Sequence, residues 1–575
     1  MDITLRVGGE AGQGLQFIGS ALGKIFSRSG LHVFTHQDYM SRIRGGHNYY
    51  QIRIADRKIH SSKEKIDILL ALDENTIELH RDALNDGGRI VYDEGLTKKT
   101  QQGLEFINVP FLDMAERMNL APIMANSAAI GAILGGLGIE LDLFPEVIEK
   151  LISKKGQEVV ASNLRMAQAG SEHVQSRIEW PSHLTCTKKD QAPLMLINGN
   201  QAIGLGALVS GCKFYAAYPM TPSTGVMIYL ASKAKEYGII IEQAEDEIAA
   251  INMTLGASFG GVRAMTGTSG GGFALMTEGL SLAGMTETPI VIAEVQRPGP
   301  ATGLPTRTEQ GDLLFVLYGG HGEFPRVLFA PGTPEQAVYL TNKAFELAEK
   351  YQIPAIIQSD QYLADSEWTF EQIDRTPLVL HDYRDRSSDE NDGQYKRYGL
   401  NESGISPLAI PGLSGKIVVV DSDEHDEEGH IIEDSETRIH MVKKRWEKKW
   451  PALKAEISPP LFYGHEYPRI ILVGYGSTYG IMLDAVTALQ EKEDIALLHF
   501  SELWPFPDPE QNTFMDILNK VDLTICVENN ATGQFAKLFR SETGYAFSAC
   551  IREYDGRPFM LETFTEEIYE HIRKI

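Results

Sequence analysis

Two short stretches of this 575-residue chain combine residue types that could do chemistry. The first is YPMTPSTG, from Tyr218 to Gly225, where two prolines stiffen a loop that is crowded with threonine and serine hydroxyls. Taken alone, such a loop predicts a binding site for an anion or a sugar. The second is E-x-A-A-x-x-M-x-x-G, from Glu247 to Gly256, a helix of small residues that begins with a carboxylate. Because small residues allow close helix packing, this pattern predicts that the surroundings of the carboxylate are buried.

Glu247 has two interpretations. A glutamate in the first turn of a helix is ordinarily a partner of the helix dipole, and Glu245 and Asp246 could serve that purpose equally well. The context of Glu247 favours a catalytic role, because its helix follows a predicted strand and precedes another strand with the loop TGTSGGGF, residues 266–273. Successive glycines let a ligand approach the backbone closely.

The elements that must position these stretches follow an α/β pattern. Strand-like runs alternate with helical ones, which predicts a parallel, doubly wound sheet whose loops gather at the carboxyl ends of the strands. The central strand candidates are FYAAY, IIIEQ, VRAMTG, PIVIAEV, RVLFA and PAIIQS. The predicted organisation is an α/β domain at 1–180, a linker at 181–193, a doubly wound domain at 194–380, an acidic connector at 381–465 and a third α/β domain at 466–575.

The connector carries acidic runs followed by the basic run MVKKRWEKKW, which predicts charge pairing between its two halves. His425 and His430 lie among these acids. A solvated, charged face is the favoured interpretation of this cluster, and no metal is assigned to the chain.

Composition excludes some classes of function. The net charge of −25 argues against a nucleic-acid partner, which requires a basic surface. The chain has neither a signal-peptide pattern nor a run of about 18 apolar residues, so a cytoplasmic location without membrane anchoring is expected. Its four cysteines are far apart and form no C-x-x-C pair. Reduced, buried thiols are therefore expected, and any iron–sulfur centre must belong to another chain.

The Glu247 pattern is similar to that of the pyrimidine-binding domain of thiamine diphosphate enzymes, whose helical glutamate hydrogen-bonds the aminopyrimidine ring. YPMTPSTG resembles the YPITPST motif in the alpha subunit of 2-oxoacid:ferredoxin oxidoreductases. Further segments resemble that subunit in the same order, namely AEDEIAAINMTLGASFGGVRAMTGTSGGGFALM, QRPGPATGLPTRTEQGDL, DEHDEEGHIIED, VENNATGQFAKL and YDGRPF. The resemblance covers about residue 190 to the end. It implies that cofactor contacts come from Tyr218, Pro219, Glu247, Thr268, Ser269 and Gly270.

The first domain resembles the gamma component of the same family, fused ahead of the alpha part. Its GGEAGQG turn departs from the dinucleotide fingerprint, so a nicotinamide site is the less favoured interpretation. Backbone amides at a helix N-terminus, together with nearby arginines, could instead take a phosphate group of coenzyme A. The candidates are Gly12, Gln13, Gly14, Arg42 and Arg44. A plain strand-to-helix turn with interface arginines remains an alternative.

A 2-oxoacid places a carboxylate beside a ketone, so its pocket needs a bidentate cation and hydroxyl donors. Arg307 is the first candidate for the carboxylate and Arg297 the second, while Thr221 and Ser223 would donate to the ketoacid or orient it. The G-D-G signature that holds the cofactor's diphosphate in this family is absent. The resemblance therefore implies a beta subunit that carries the magnesium–diphosphate site and a 4Fe–4S cluster, with the cofactor shared between the chains.

The expected fold class is multidomain α/β, with a gamma-type domain, a pyrimidine-binding doubly wound domain and a transketolase C-terminal-like domain. The expected function is oxidative decarboxylation of a 2-oxoacid, 2-oxoglutarate first, with coenzyme A as co-substrate and ferredoxin as electron acceptor, or the reverse carboxylation. A dimer of heterodimers is the expected assembly. Alternatives are a pyruvate, branched-chain or indolepyruvate enzyme, or a non-catalytic assembly subunit.

Overall fold

The computed structural model describes residues 1–41, 45–152, 156–177, 180–186, 194–385, 395–413 and 415–574. The chain divides into two compact units. The first comprises residues 1–197, 366–372 and 559–566, and the second comprises 198–365, 373–558 and 567–575. Arg42 and Arg44, residues 187–193 of the predicted linker and residues 386–394 of the predicted connector lie outside the described residues.

The described residues form 22 strands, and these include all six of the predicted central runs. In chain order they are β1 (Asp2–Glu10), β2 (His32–Asp38), β3 (His47–Ala55), β4 (Ile66–Ala71), β5 (Leu84–Tyr92), β6 (Phe106–Asn108), β7 (Met195–Asn198), β8 (Phe214–Ala217), β9 (Ile240–Gln243), β10 (Ala264–Thr268), β11 (Ile290–Gln296), β12 (Val327–Phe329), β13 (Pro354–Asp360), β14 (Glu367–Phe370), β15 (Arg384–Asp385), β16 (Leu408–Ala409), β17 (Leu461–Gly464), β18 (Ile470–Tyr475), β19 (Ile495–Phe500), β20 (Glu502–Trp504), β21 (Leu523–Glu528) and β22 (Ala549–Arg552).

The α-helices lie between these strands. They are α1 (Leu15–Arg28), α2 (Glu74–His80), α3 (Glu94–Thr97), α4 (Phe111–Arg117), α5 (Ala125–Leu137), α6 (Phe144–Leu151), α7 (Gln157–Arg177), α8 (Gly199–Val209), α9 (Thr224–Tyr237), α10 (Glu247–Phe259), α11 (Gly270–Met285), α12 (Leu313–Tyr318), α13 (Pro334–Tyr351), α14 (Gln361–Asp365), α15 (Ser435–Lys443), α16 (Trp450–Lys454), α17 (Thr478–Leu489), α18 (Phe514–Leu518), α19 (Gln534–Thr543) and α20 (Leu561–Ile572). Among the described residues, no helix combines the length and apolar character needed to cross a bilayer.

The first unit is built on a mixed sheet of eight strands in the order β6-β5-β4-β1-β3-β2-β14-β7. Helix α5 is buried along its whole length. Its close packing on α7 depends on glycines, because a β-carbon at Gly131 would collide with the carbonyl of Ala167, and one at Gly170 with that of Ala128. Helices α5 and α7 contribute to the apolar core that packs against this sheet.

The second unit contains the predicted doubly wound sheet, in the order β20-β12-β13-β11-β10-β8-β9. Its strands pair in parallel except for β20, which pairs with β12 in antiparallel fashion. A further sheet, β17-β19-β18-β21-β22, belongs to the C-terminal part of the chain. One apolar core runs through both sheets, with Ile292 and Ile356 from the first and Val473 and Phe500 from the second. The multidomain α/β class is therefore confirmed.

The charge pairing predicted for the connector is confirmed at Glu424, which receives Arg445 at 2.6 Å and is also paired with Arg438. Two other basic residues bind elsewhere. Lys444 and Lys449 reach the buried Glu287 at 2.7 and 2.5 Å. Because several cations surround this carboxylate, its pKa is held well below the usual range despite burial.

The solvated-face interpretation was wrong for His425, whose side chain is fully buried. Its ring lies against Tyr398, with centroids 3.7 Å apart. Its Nδ1 lies 3.1 Å from the carbonyl of Asp423, so the acidic neighbours in sequence do not keep this histidine in solvent. His430 is exposed, as expected.

Candidate active site

The predicted site residues lie at the carboxyl ends of neighbouring parallel strands. Strands β8, β10 and β11 are adjacent in the sheet and parallel to one another. The YPMTPSTG loop follows β8, the glycine-rich start of α11 follows β10, and the segment from Arg297 to Asp312 follows β11. Parallel strands present their carboxyl ends at one edge, where such sheets bind ligands. The fold therefore gathers the three stretches that the sequence singled out.

The YPMTPSTG loop is held through its carbonyl groups. The Nη1 of Arg297 donates to the carbonyl of Thr221 at 2.6 Å, and the amide of Asn200 donates to the carbonyl of Pro222 at 3.0 Å. Arg297 thus fixes the loop, and this is a positioning contact that the sequence analysis did not predict for it.

The side chains of the loop differ in accessibility. Ser223 is buried, and its hydroxyl donates to the carbonyl of Met220 at 2.8 Å. Thr221 and Pro219 are partly exposed, and Tyr218 is 41 % exposed. Of the two predicted hydroxyl donors, Thr221 is consequently the more accessible to a ligand, while the bond made by Ser223 stabilises the loop.

The side chain of Glu247 does not cap its helix, because the neighbouring Asp246 makes the capping bond. The Oδ1 of Asp246 accepts the N–H of Ala249 at 2.7 Å, which is the usual bond of a helix N-cap. The carboxylate of Glu247 is only 3 % exposed and receives the Thr268 hydroxyl at 3.5 Å. Burial raises its pKa. The helix-dipole interpretation therefore belongs to Asp246, and Glu247 is a buried acceptor at the sheet edge.

The glycine run at the start of α11 makes room for carboxylates of this chain. A β-carbon at Gly272 would collide with the Glu247 carboxylate, and one at Gly270 would collide with that of Asp312. Gly271 has only the carbonyl of Ala301 near it, at 3.7 Å. The sequence predicts that these glycines admit a ligand, whereas two of the three lie against side chains of the protein itself.

Asp312 is a functional candidate that the sequence analysis missed. Its side chain lies against the start of α11, and burial raises its pKa to about 6, opposed by the nearby Arg297. Burial lowers the pKa of Arg297, opposed by Asp312 and Glu247. Asp312 is the fifth residue of the motif TEQGDL, so the motif was visible, but its proximity to Arg297 and Gly270 is a product of the fold.

Thr268 and Ser269, predicted as cofactor contacts, are both fully buried at the end of β10. Thr268 donates towards Glu247, as described above. The Ser269 hydroxyl has no hydrogen-bond partner among the described residues. Buried polar groups are normally satisfied, so a hydroxyl of this kind at the sheet edge is consistent with a ligand contact.

Arg307 lies half-buried in what we call the arginine loop, residues 304–312. Backbone bonds fold this loop on itself and on the C-terminal part of the chain. The N–H of Arg307 donates to the carbonyl of Leu304 at 3.1 Å, and that of Thr308 donates to the carbonyl of Gly556 at 3.1 Å. The position of Arg307 is therefore set partly by Gly556, which is about 250 positions away in sequence.

The arginine loop is gripped by residues 528–534, which we call the C-terminal clamp. Gln310 donates its N–H to the carbonyl of Asn529 at 2.6 Å and accepts the N–H of Asn529 on its Oε1 at 2.9 Å. Its Nε2 donates to the carbonyl of Tyr475 at 3.0 Å. A buried side chain that uses both its donor and its acceptor in this way locks the loop in one arrangement.

The clamp contacts the arginine loop a second time through Gln534, and the clamp itself is held by Glu528. Gln534 donates to the carbonyl of Gly311 at 2.5 Å and accepts the N–H of Leu314 at 3.0 Å. Glu528 is fully buried and accepts the N–H of Phe535 at 2.8 Å and the side-chain amide of Asn530 at 2.7 Å. The carboxylate thus fixes the turn that presents the clamp residues.

The candidate coenzyme A residues lie in the first unit, at the start of α1. Gly12 and Gly14 have left-handed φ values of 98° and 88° and line a cavity of about 320 Å³ with Gln16, Tyr39 and Tyr49. The side chain of Gln13 is engaged with the protein, where it accepts the N–H of Glu10 at 2.7 Å. Arg42 and Arg44 lie outside the described residues.

One group of described side chains has the spacing of metal ligands, namely Asp426, Glu428 and His430. The Oδ1 of Asp426 accepts the backbone N–H groups of Glu428 at 3.0 Å and His430 at 2.9 Å. These bonds form an ordinary turn, and exposed acidic groups of this kind are common without an ion. No metal is assigned there.

Two family profiles match the sequence. One is described as "Pyruvate flavodoxin/ferredoxin oxidoreductase, thiamine diP-bdg" and matches residues 205–444, and the other is described as "Pyruvate ferredoxin/flavodoxin oxidoreductase" and matches residues 4–173. The first covers the YPMTPSTG loop, Glu247 and Arg307, and the second covers most of the first unit.

Individual relatives extend the match to the whole chain. A 2-oxoacid:ferredoxin oxidoreductase subunit alpha from a Sulfolobus species is 31% identical, with 100% of this chain and 97% of the relative covered. The 2-oxoglutarate synthase subunit KorA of Archaeoglobus fulgidus is 34% identical over 60% of this chain and 89% of its own length.

A solved structure agrees in fold from end to end. The 2-oxoglutarate:ferredoxin oxidoreductase from Magnetococcus marinus, with 2-oxoglutarate, coenzyme A and succinyl-CoA bound, matches with a TM-score of 0.90 and 31% identity over 99% of both chains. The resemblance inferred from the motifs is thereby confirmed. With Glu247, the YPMTPSTG loop and the arginine loop at one sheet edge, and with relatives that align along its full length, the chain belongs to the family of 2-oxoacid:ferredoxin oxidoreductase alpha subunits.

Proposed function

We propose that the chain is the 2-oxoacid-binding subunit of an enzyme that oxidises 2-oxoglutarate with coenzyme A to succinyl-CoA and carbon dioxide and reduces ferredoxin, or that runs the reverse carboxylation. The observation that carries this proposal is the buried Glu247 beside the YPMTPSTG loop. Support for the substrate comes from the bound 2-oxoglutarate in the Magnetococcus marinus structure and from the name of the Archaeoglobus fulgidus relative.

The described residues fit the aminopyrimidine end of thiamine diphosphate. When bound, this cofactor supplies a carbon nucleophile for the ketone and an electron sink for decarboxylation. Glu247 would hold a proton on the ring nitrogen, and its raised pKa helps because a carboxylate in a dry site shares a proton more readily. Thr268 orients Glu247, and Ser269, whose hydroxyl has no partner among the described residues, would donate to or accept from the ring.

Substrate positioning would come from two loops. Thr221 would donate its hydroxyl to the ketoacid, and Arg307 would take a carboxylate with its bidentate fork. Arg297, proposed from the sequence as a second carboxylate ligand, instead holds the carbonyl of Thr221 and would act by keeping this donor in place. Asp312 lies close enough to Arg297 to influence its pKa, and it would help to keep the guanidinium in position.

Coenzyme A would bind through the first unit, at the cavity beside Gly12 and Gly14. Support comes from the left-handed glycines, which leave backbone N–H groups at the start of α1 to receive a phosphate. Arg42 and Arg44 are carried over from the sequence as further candidates.

A beta subunit would complete the site. Magnesium–diphosphate binding needs carboxylate and amide oxygens in the G-D-G arrangement, which the sequence lacks. The magnesium ion, the diphosphate pocket and the 4Fe–4S cluster are accordingly proposed for that partner, with ferredoxin as acceptor and a cytoplasmic dimer of heterodimers as the assembly.

The substrate proposal is tested by reconstituting the chain with its natural partner and measuring reduction of a ferredoxin-type dye across a panel of 2-oxoacids with coenzyme A. A kcat/KM for 2-oxoglutarate about tenfold or more above that for pyruvate is expected. Equal values would favour the broader 2-oxoacid specificity that the name of the Sulfolobus relative indicates. No activity with any 2-oxoacid would favour a non-catalytic subunit.

A further inference from the structure

Two of the four cysteines are neighbours in the fold although they are 24 positions apart in sequence. Cys526 on β21 and Cys550 on β22 are register partners on adjacent parallel strands. Strands in a sheet lie about 4.8 Å apart, which is within the range of about 4.4–6.8 Å between the Cα atoms of a disulfide. Their thiols interact side chain to side chain. Nothing in the spacing of the cysteines along the sequence indicates this contact.

The two thiols have opposite environments. Cys550 lies on the last strand of its sheet and is exposed, so the expectation of a buried thiol is wrong for this residue. Cys526 is fully buried. The hydrogen bond from Cys526 lowers the pKa of the Cys550 thiol to about 7, and nearby Arg552 helps. Burial raises the pKa of Cys526 well above its ordinary value. An accessible thiolate beside a protonated thiol is the arrangement of a redox-sensitive pair, in which the second cysteine resolves the oxidised first one.

We propose that Cys550 and Cys526 form an oxidation site for hydroperoxides. The Cys550 thiolate attacks one oxygen of the peroxide, the O–O bond breaks, and hydroxide, or an alkoxide from an organic hydroperoxide, leaves. The Cys550 sulfenic acid then condenses with the Cys526 thiol to give a disulfide and water. In sum, two thiols lose two electrons and two protons, and one hydrogen peroxide becomes two waters. Exposed disulfides are the readily reduced ones, so a dithiol reductant reverses the step.

The disulfide would act on the candidate active site through Glu528. The Cys526 Sγ lies 3.6 Å from Glu528 Oε1, and its single proton is donated to this carboxylate while Cys550 is itself protonated. This carboxylate fixes the C-terminal clamp, and the clamp holds Gln310 of the arginine loop. Oxidation removes the thiol donor and pulls β21 towards β22. The effect should reach the substrate through the placement of Arg307, and this part of the inference rests on the proposed function.

The other cysteines provide matched controls. Burial raises the pKa of both Cys186 and Cys212 to about 12, so neither is a thiolate near neutral pH. Cys186 is partly buried and lies in the first unit, far from the clamp in sequence. A Cys186→Ser variant should therefore respond to peroxide as the wild type does.

The test uses the purified full chain, so that peroxide never meets the iron–sulfur cluster proposed for the partner. Wild type, Cys550→Ser, Cys526→Ser and Cys186→Ser are treated with hydrogen peroxide, catalase removes the excess, and non-reduced peptides are analysed by mass spectrometry. A peptide linked through residues 526 and 550 is expected in wild type and Cys186→Ser alone, and dithiothreitol should remove it. The alkylation rate of Cys550 should rise with pH through about 7 and then level off.

Unchanged thiols, or oxidation of Cys550 to sulfinic acid without a link to Cys526, would overturn the proposal. This readout needs no activity, so it is independent of the assigned substrate.

The coupling to the arginine loop is tested by adding untreated partner to the oxidised chain. The KM for the 2-oxoacid is expected to rise about fivefold or more in oxidised wild type, with kcat less affected. A linked peptide with an unchanged KM would refute the coupling to the arginine loop.

Discussion

The role proposed for Glu247 depends on the side chains that surround it. Three acids lie together at the start of α10, and one of them, Asp246, takes the capping bond. Glu247 is left buried against Thr268, with glycine opposite it at position 272. A larger residue at 272 would push the carboxylate out of its place. The catalytic interpretation of Glu247 thus depends on Asp246 capping the helix, which leaves the Glu247 carboxylate available for another partner. The sequence motif contains both acids but does not indicate which of them caps the helix.

Replacing Glu247 with Gln in the reconstituted complex should lower kcat by about 100-fold or more, because the amide cannot share a proton with the cofactor ring. Steady-state turnover with saturating thiamine diphosphate measures this. Glu245→Gln is the matched control, since Glu245 is exposed two positions earlier. A kcat of the Glu247 variant within about threefold of the control would contradict the assignment.

At this scale the sequence predicted Glu247, Thr221 and Arg307 as candidates, and the fold gathers their segments at one sheet edge. It did not predict Asp312 or the structural bond of Ser223. Both depend on where a backbone loop turns in space, and neither residue type is distinctive at its position. The prediction of a solvated side chain was wrong for His425, because a charged run in sequence can still contain one buried side chain.

At the scale of elements, the alternation of strands and helices predicted the central sheet well. Each of the six quoted strand candidates, from FYAAY to PAIIQS, forms a strand. What alternation could not predict is pairing across long sequence separations. Strand β14 joins β2 through Trp368 and Phe34, and the clamp joins Gln310 to Asn529. The motifs TEQGDL and VENNATGQF were both visible, but nothing in either of them indicates the other.

Removing the side chain of Gln310 should loosen the arginine loop without touching Glu247. For Gln310→Ala we expect the KM for the 2-oxoacid to rise about tenfold while kcat stays within about threefold, because a binding contact is lost rather than a chemical one. Steady-state kinetics of the reconstituted complex measure both constants. Gln490→Ala, at the exposed end of α17, is the control. Equal losses in kcat and in affinity would indicate general destabilisation instead.

At the scale of the whole molecule, the chain is proposed to hold only one end of its cofactor. The full chain alone should therefore bind thiamine diphosphate with magnesium about 100-fold more weakly than the complex with its partner, since the diphosphate carries most of the charge available for recognition. Isothermal titration of the chain, the partner and the complex measures this. Affinity of the chain alone equal to that of the complex would place a diphosphate site on this chain.

The C-terminal clamp limits how the arginine loop can be exchanged between relatives. The matched thiamine diphosphate-binding profile ends at residue 444, whereas the loop that carries Arg307 is held by residues 528–534. The segment that would select the substrate is therefore not a self-contained module. A chimera that imports residues 304–312 from a relative with another preference should work only if the recipient's clamp segment is exchanged with it.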